Sequence, residues 1–258
     1  MLRNVIFLMV LLSSCSLPTS NQRIEILNEY NKSQFSAKIY KTNNFEIYSL
    51  NKIKNSGKLI VYIEGDGLSW IDNYTISSNP TPIDPLAFRL AKIDQNENII
   101  YLARPCQYIQ TDICKNKEIW TVSQYSEAVL SSYKAIMENY SQFKEIHIVG
   151  YSGGAGIAMY LGSINNPKIK SIRTVAGNIN HNRLSQLINI SPLDKSVNFY
   201  QVEEKSKNTP QVHYFGSADK IIPRELSLGF KNNNQSNKCI KVQEVNATHN
   251  EGWESFWN

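Results

Sequence analysis

The sequence predicts an α/β protein, with a mostly parallel central sheet flanked by helices and a small cap or none. Three observations lead there. Short β-branched runs alternate with stretches of helical periodicity from residue 35 onward, which is the pattern of βαβ units. Residues 145–156, Glu-Ile-His-Ile-Val-Gly-Tyr-Ser-Gly-Gly-Ala-Gly, read as strand, sharp turn and helix. The chain has 258 residues, 41% of them hydrophobic and 19% charged, which suits one domain with a full core.

The elements follow in order. Residues 1–14 read as a signal peptide: Val5 to Leu12 is an apolar run of secretory length. A transmembrane helix needs about 20 apolar residues, so this run is too short to span a bilayer. Leu12-Ser13-Ser14-Cys15 resembles a bacterial lipobox. That resemblance implies cleavage before Cys15, its lipidation, and a membrane tether over residues 15–34. The domain is then 35–258. Phe35–Lys41 and Phe45–Leu50 read as paired strands around Asn43-Asn44. Lys58–Ile63 is a buried strand, and Pro85–Ile93 a helix capped by Asp84. Asn98–Ala103 is the next strand, and Thr121–Tyr140 has helical periodicity. After the strand and helix around Ser152 come a strand at Lys170–Ala176, a strand at Gln211–Phe215, a helix at Pro223–Phe230 and a strand at Cys239–Val245. Two irregular stretches, Gly65–Asp84 and Gly177–Asn208, follow strands on the edge where Ser152 must lie, so both are candidate pocket walls.

Ser152 sits at the apex of Gly150-Tyr151-Ser152-Gly153-Gly154. A serine hydroxyl is a poor nucleophile unless it is held out of the fold and given a base. A turn this tight does the holding, and its crowded backbone demands glycine at the flanks. In this strand order the motif resembles the nucleophile elbow of the α/β-hydrolase fold, over residues 35 to 258. The resemblance implies a serine hydrolase with the chain order nucleophile, acid, base.

That order, with four histidines to choose from, points to His249 as the base, in the loop after the last strand. His147 and His213 lie inside strands, and His181 at the edge of the 177–208 stretch is a surface or pocket-wall residue. The acid falls on Asp219, in the turn after Gln211–Phe215, with Asp194 and Glu251 as runners-up. The backbone N–H of Gly153 is the first expected oxyanion donor, and that of Asp66 the second, with Gly67 next. Many relatives carry His-Gly where this chain has Glu64-Gly65. A carboxylate facing a developing negative charge would raise the barrier, so Glu64 and Asp66 are expected to turn away, toward the loop or Arg104.

The remaining cysteines fit an exported protein. Cys106 and Cys114 are spaced to close a small disulfide loop bracing the mouth of the site, and Cys239 is expected to be a buried thiol. Trp70, Tyr74, Trp120 and Trp253 read as rim packing or as an apolar pocket for an acyl group. The net charge of +5 is dispersed among asparagines, which argues against nucleic acid as a partner. No metal cluster, nucleotide loop or cofactor lysine is apparent, so no cofactor is expected. The expected protein is an exported serine hydrolase, lipid-anchored at the periplasmic face of a bacterial membrane or at the cell surface. Its expected substrate is a small-molecule or lipid ester or thioester. A serine peptidase and a non-catalytic binding lipoprotein of the same fold remain alternatives.

Overall fold

The computed structural model describes residues 17–257. The expected signal peptide and Cys15 lie outside the described residues. Among the described residues, eight strands form one sheet in the order β1-β2-β4-β3-β5-β6-β7-β8. They are β1 (Ser36–Lys41), β2 (Glu46–Lys52), β3 (Lys58–Ile63), β4 (Ile99–Leu102), β5 (Glu145–Tyr151), β6 (Ile169–Val175), β7 (Gln211–Gly216) and β8 (Ile240–Val245). β2 runs antiparallel to β1 and β4, and every pair from β4 to β8 is parallel. Strands paired in parallel carry all their C-terminal ends on one edge, where α/β sheets build their sites.

Helices cover both faces. The helices are α1 (Ser20–Asn31), α2 (Leu86–Ile93), α3 (Glu127–Glu138), α4 (Gly154–Ser163), α5 (His181–Leu187), α6 (Phe199–Ser206), α7 (Arg224–Asn233) and α8 (Glu254–Trp257). Alternation along β3 divides the core: Leu59, Val61 and Ile63 face α3, α4, α6 and α7, while Ile60 and Tyr62 face α1 and α2. Among the described residues no helix is long and apolar enough to cross a membrane.

Several local expectations change. Residues 20–31, expected as tether, form a helix whose Thr19 closes a capping box with Gln22. Leu27 is fully buried against the α2 layer, so this helix packs as part of the domain. The helix at 86–93 has Pro85 at its N-cap without a side-chain cap, because Asp84 is instead paired with Arg89. The helix expected from Thr121 starts at Glu127, where the Ser126 hydroxyl accepts from the Val129 N–H. The stretch 177–208 contains α5 and α6. Cys239 is exposed rather than buried, since it precedes β8 at the open edge of the sheet.

Candidate active site

The turn after β5 carries Ser152 with a backbone φ of 47°, a left-handed conformation that a non-glycine residue holds only when its surroundings fix it. Here they do: the Ser152 N–H donates to the Val175 carbonyl at 3.0 Å, and the Ser152 carbonyl accepts from the Asn178 N–H at 2.9 Å. The flanking glycines are steric necessities. A Cβ on Gly150 would lie 2.5 Å from the Gly154 carbonyl oxygen, and one on Gly154 would lie 2.3 Å from the Ile63 carbonyl oxygen. α4 then leaves the turn with an almost wholly buried run of small and apolar residues.

Three strand ends bring their side chains together. The Ser152 hydroxyl is 3.1 Å from His249 Nε2, and His249 Nδ1 is 2.9 Å from Asp219 Oδ2. Asp219 also accepts the N–H groups of Ile221 and Ile222 on Oδ1 at 2.8 and 3.0 Å. Burial pushes its carboxyl up, but the bonds from His249 and those two amides more than offset this and hold it below the usual range. An ionised Asp219 can only accept, so Nδ1 carries the imidazole proton and Nε2 is left to accept from the serine hydroxyl. The imidazole is further boxed by the Tyr151 ring, 5.4 Å away. Neither Asp194 nor Glu251 bonds to this ring.

The loop after β3 supplies the opposite wall. Among the described residues, no hydrogen bond engages the backbone N–H of Gly153, Asp66 or Gly67. The Asp66 carboxylate bonds Arg104 Nη1 at 2.7 Å. It does not leave the site, however, for a Cβ on Gly153 would fall 1.9 Å from its Oδ1. Arg104 explains this. Its guanidinium is buried, also donates to the Gln124 carbonyl at 2.9 Å, and lies over the Tyr125 ring, so it requires a counter-charge at that spot. Tyr125 in turn donates to the Gly153 carbonyl at 2.9 Å. Gln107 closes the frame: it accepts from the Arg104 N–H and donates to the Gly65 carbonyl, both at 2.9 Å. Cys106, with a φ of 67°, is joined to Cys114 by a disulfide beside this frame. Glu64 also stays in the cleft wall, accepting from the Gly65 N–H at 2.8 Å and the Tyr101 hydroxyl at 3.1 Å. Burial pushes its carboxyl up to about 7.

Together these loops enclose a cleft of about 580 Å³ above Ser152, lined also by Trp70, Ile83, Asp84, Ile221 and Asn250. Trp120 and Trp253 are buried in the core, so of the four expected aromatics Trp70 lines the cleft and Tyr74 is exposed. His181 is neither surface nor wall: it is buried, stacks on Tyr125 and bonds the Val197 carbonyl at 2.8 Å. His213 is fully buried in β7, and His147 sits in β5 bonded to Ser171 at 2.7 Å. Sequence reasoning missed Tyr125, Gln124 and Asn178, which no local motif marks. Among the described residues no cluster of His, Cys, Asp and Glu is arranged to hold a metal.

Solved structures share this architecture. A lipase candidate of Acinetobacter baumannii AYE, lip1, superposes with a TM-score of 0.59 at 12% identity, covering 92% of each chain. The Pyrococcus furiosus esterase Pf2001 does so with a TM-score of 0.54 at 14% identity over 86% of each chain. For Est1E from Butyrivibrio proteoclasticus the TM-score is 0.53 at 12% identity, covering 85% of this chain and 93% of that one. At such identities the likeness is one of fold, the α/β-hydrolase fold. No curated protein sequence matches the chain. The family model described as Serine hydrolase (FSH1) matches residues 110–250, more than half of the chain and the part that holds Ser152, Asp219 and His249. With the elbow, the parallel sheet and that match in agreement, the chain belongs to the FSH1 serine hydrolase family.

Proposed function

We propose that the protein hydrolyses carboxylic esters or thioesters through an acyl-enzyme on Ser152, with His249 as general base and Asp219 as its orienting acid. The observation that carries this is the continuous hydrogen-bonded path from Ser152 Oγ through His249 to Asp219, at 3.1 and 2.9 Å. His249 Nε2 takes the hydroxyl proton as Oγ bonds to the substrate carbonyl carbon, and the carbonyl electrons move onto its oxygen. The unengaged N–H of Gly153, with that of Asp66 or Gly67, receives this oxyanion. Collapse breaks the bond to the leaving group, which departs with the proton from His249. Water then repeats the cycle on the acyl-enzyme, and the carboxylic acid leaves. Arg104 neutralises the Asp66 carboxylate that would otherwise oppose the oxyanion.

The same proposal places the protein outside the cytoplasm, tethered by a lipidated Cys15. The Cys106–Cys114 disulfide supports export, since such bonds persist in oxidising compartments. A fluorophosphonate probe tests the chemistry. Labelling of the wild type and not of Ser152→Ala is expected. No labelling of either would instead favour a binding role for the fold. Labelling with globomycin-sensitive processing of the full chain in a bacterial host tests the anchor.

A further inference from the structure

Resting on that ester-hydrolase reading, we propose that the hairpin Trp70–Ile76 docks on a lipid bilayer and that the substrate is an acyl ester drawn from it. The hairpin is a built structure. Trp70 pairs antiparallel with Ile76, and the Ile71 N–H donates to the Thr75 carbonyl at 2.9 Å. Asp72 Oδ1 accepts from the Tyr74 and Thr75 N–H groups at 2.8 Å each, closing the tip. Beside its exposed polar turn residues Asp72, Asn73 and Thr75, this firm tip presents large apolar side chains to solvent: Trp70, Ile71 and Tyr74 are exposed, Tyr74 to 92%. Ile221, also exposed, and Trp70 both line the cleft above Ser152. Large apolar side chains gathered around a cleft mouth mark a surface used against another apolar phase. Tryptophan and tyrosine suit the headgroup boundary, where one end of the ring is dry and the other wet.

The start of the chain says which phase. α1 is fastened to the base of this same loop. Asn79 Nδ2 donates to Ser20 Oγ at 2.9 Å, and Arg23 Nη1 donates to the Asn79 carbonyl at 3.1 Å and to the Thr81 carbonyl. The Leu68 N–H, in turn, donates to the Pro80 carbonyl at 3.1 Å. The described chain therefore enters the domain, at Leu17, on the rim that carries the hairpin, two residues after Cys15, which bears the lipid in the proposed function. A lipid tether entering at this rim and the exposed apolar side chains of the hairpin beside it fit a bilayer, with the cleft opening toward it.

Two measurements on the full chain test this. With Ile71→Ser/Tyr74→Ser, hydrolysis of soluble p-nitrophenyl butyrate stays within about twofold of wild type. Hydrolysis of a fluorogenic diacyl lipid in phosphatidylglycerol–phosphatidylcholine vesicles falls about tenfold or more. Unchanged vesicle activity, or an equal loss on both substrates, overturns the proposal. Second, Tyr74→Trp in a Ser152→Ala background is mixed with vesicles of brominated phosphatidylcholine. Added emission beyond that of the Tyr74 parent should be quenched by about half or more, and unquenched emission overturns the proposal. This reading needs no turnover, so a quenched hairpin on an enzyme inactive toward every ester faults the hydrolase reading alone.

Discussion

At the scale of single residues, the cleft wall is a set of charges whose protonation and pairing decide what the site can do. Asp219→Asn removes the acceptor that fixes the imidazole tautomer. kcat is expected to fall by roughly three to four powers of ten with KM nearly unchanged, read from steady-state kinetics. Arg104→Met leaves the Asp66 carboxylate uncompensated against Gly153, and kcat should fall by about a hundredfold. Adding Asp66→Asn removes the stranded charge, so the double variant is expected to be faster than Arg104→Met alone. A double variant that is slower would show that the pair does not act through charge. Glu64 works on stability. Its carboxyl titrates near 7 when folded and near 4.5 when free. Between those values the unfolded chain gives up its proton first, so folding loses stability as pH rises from about 4.5 to about 7 and stays level above. The loss amounts to roughly 3 kcal/mol. Glu64→Gln should therefore stabilise the fold more at pH 8 than at pH 5 in urea titrations.

At the scale of elements, what was legible in the sequence is what local chemistry decides. The elbow announced itself because a serine in a left-handed turn needs small neighbours. Asp219 and His249 could be placed because both fall in turns directly after strands. The helices at 20–31, 181–187 and 199–206 were not legible. α1 is polar except for a few contacts, among them the fully buried Leu27 and the Arg23 bonds to the 79–81 loop, and such tertiary contacts leave no periodic trace. Leu27→Ala is expected to cost about 2–4 kcal/mol by chemical denaturation, the cost of a core cavity. A mere tether would show no loss. The frame around Arg104 shares this logic in part: its bond to Asp66 was expected, but the closure by Gln107 in the same turn and by the adjacent Gln124 and Tyr125 is visible only in three dimensions. The disulfide beside it closes a short loop, and Cys106→Ser/Cys114→Ser should lower stability by about 2–3 kcal/mol.

At the scale of the whole molecule, the sheet collects on one edge every group the proposed chemistry uses. β3 contributes the loop with Asp66, β4 leads to Arg104, β5 to Ser152, β7 to Asp219 and β8 to His249. Parallel pairing across β4 to β8 makes that convergence automatic, which is why the fold class, once read from alternating elements, already implied where the site lies. Side-chain orientation was implied only in part: the expected bond between Asp66 and Arg104 forms, but the buried guanidinium lies beside the cleft and so keeps the carboxylate on its wall. The carboxylates of Glu64, Asp66 and Asp84 along the cleft have a consequence for the end of each turnover. The ester that enters is uncharged, but the acid that forms is an anion; Asp66 and Asp84 are balanced by Arg104 and Arg89, whereas Glu64 has no cationic partner among the described residues and, ionised above about pH 7, repels it. Its expulsion is thus written into the lining, and the enzyme should clear itself without a gate. Butyrate is accordingly expected to compete for the free site far more weakly than butyramide of the same length, as inhibition constants at pH 8 will register.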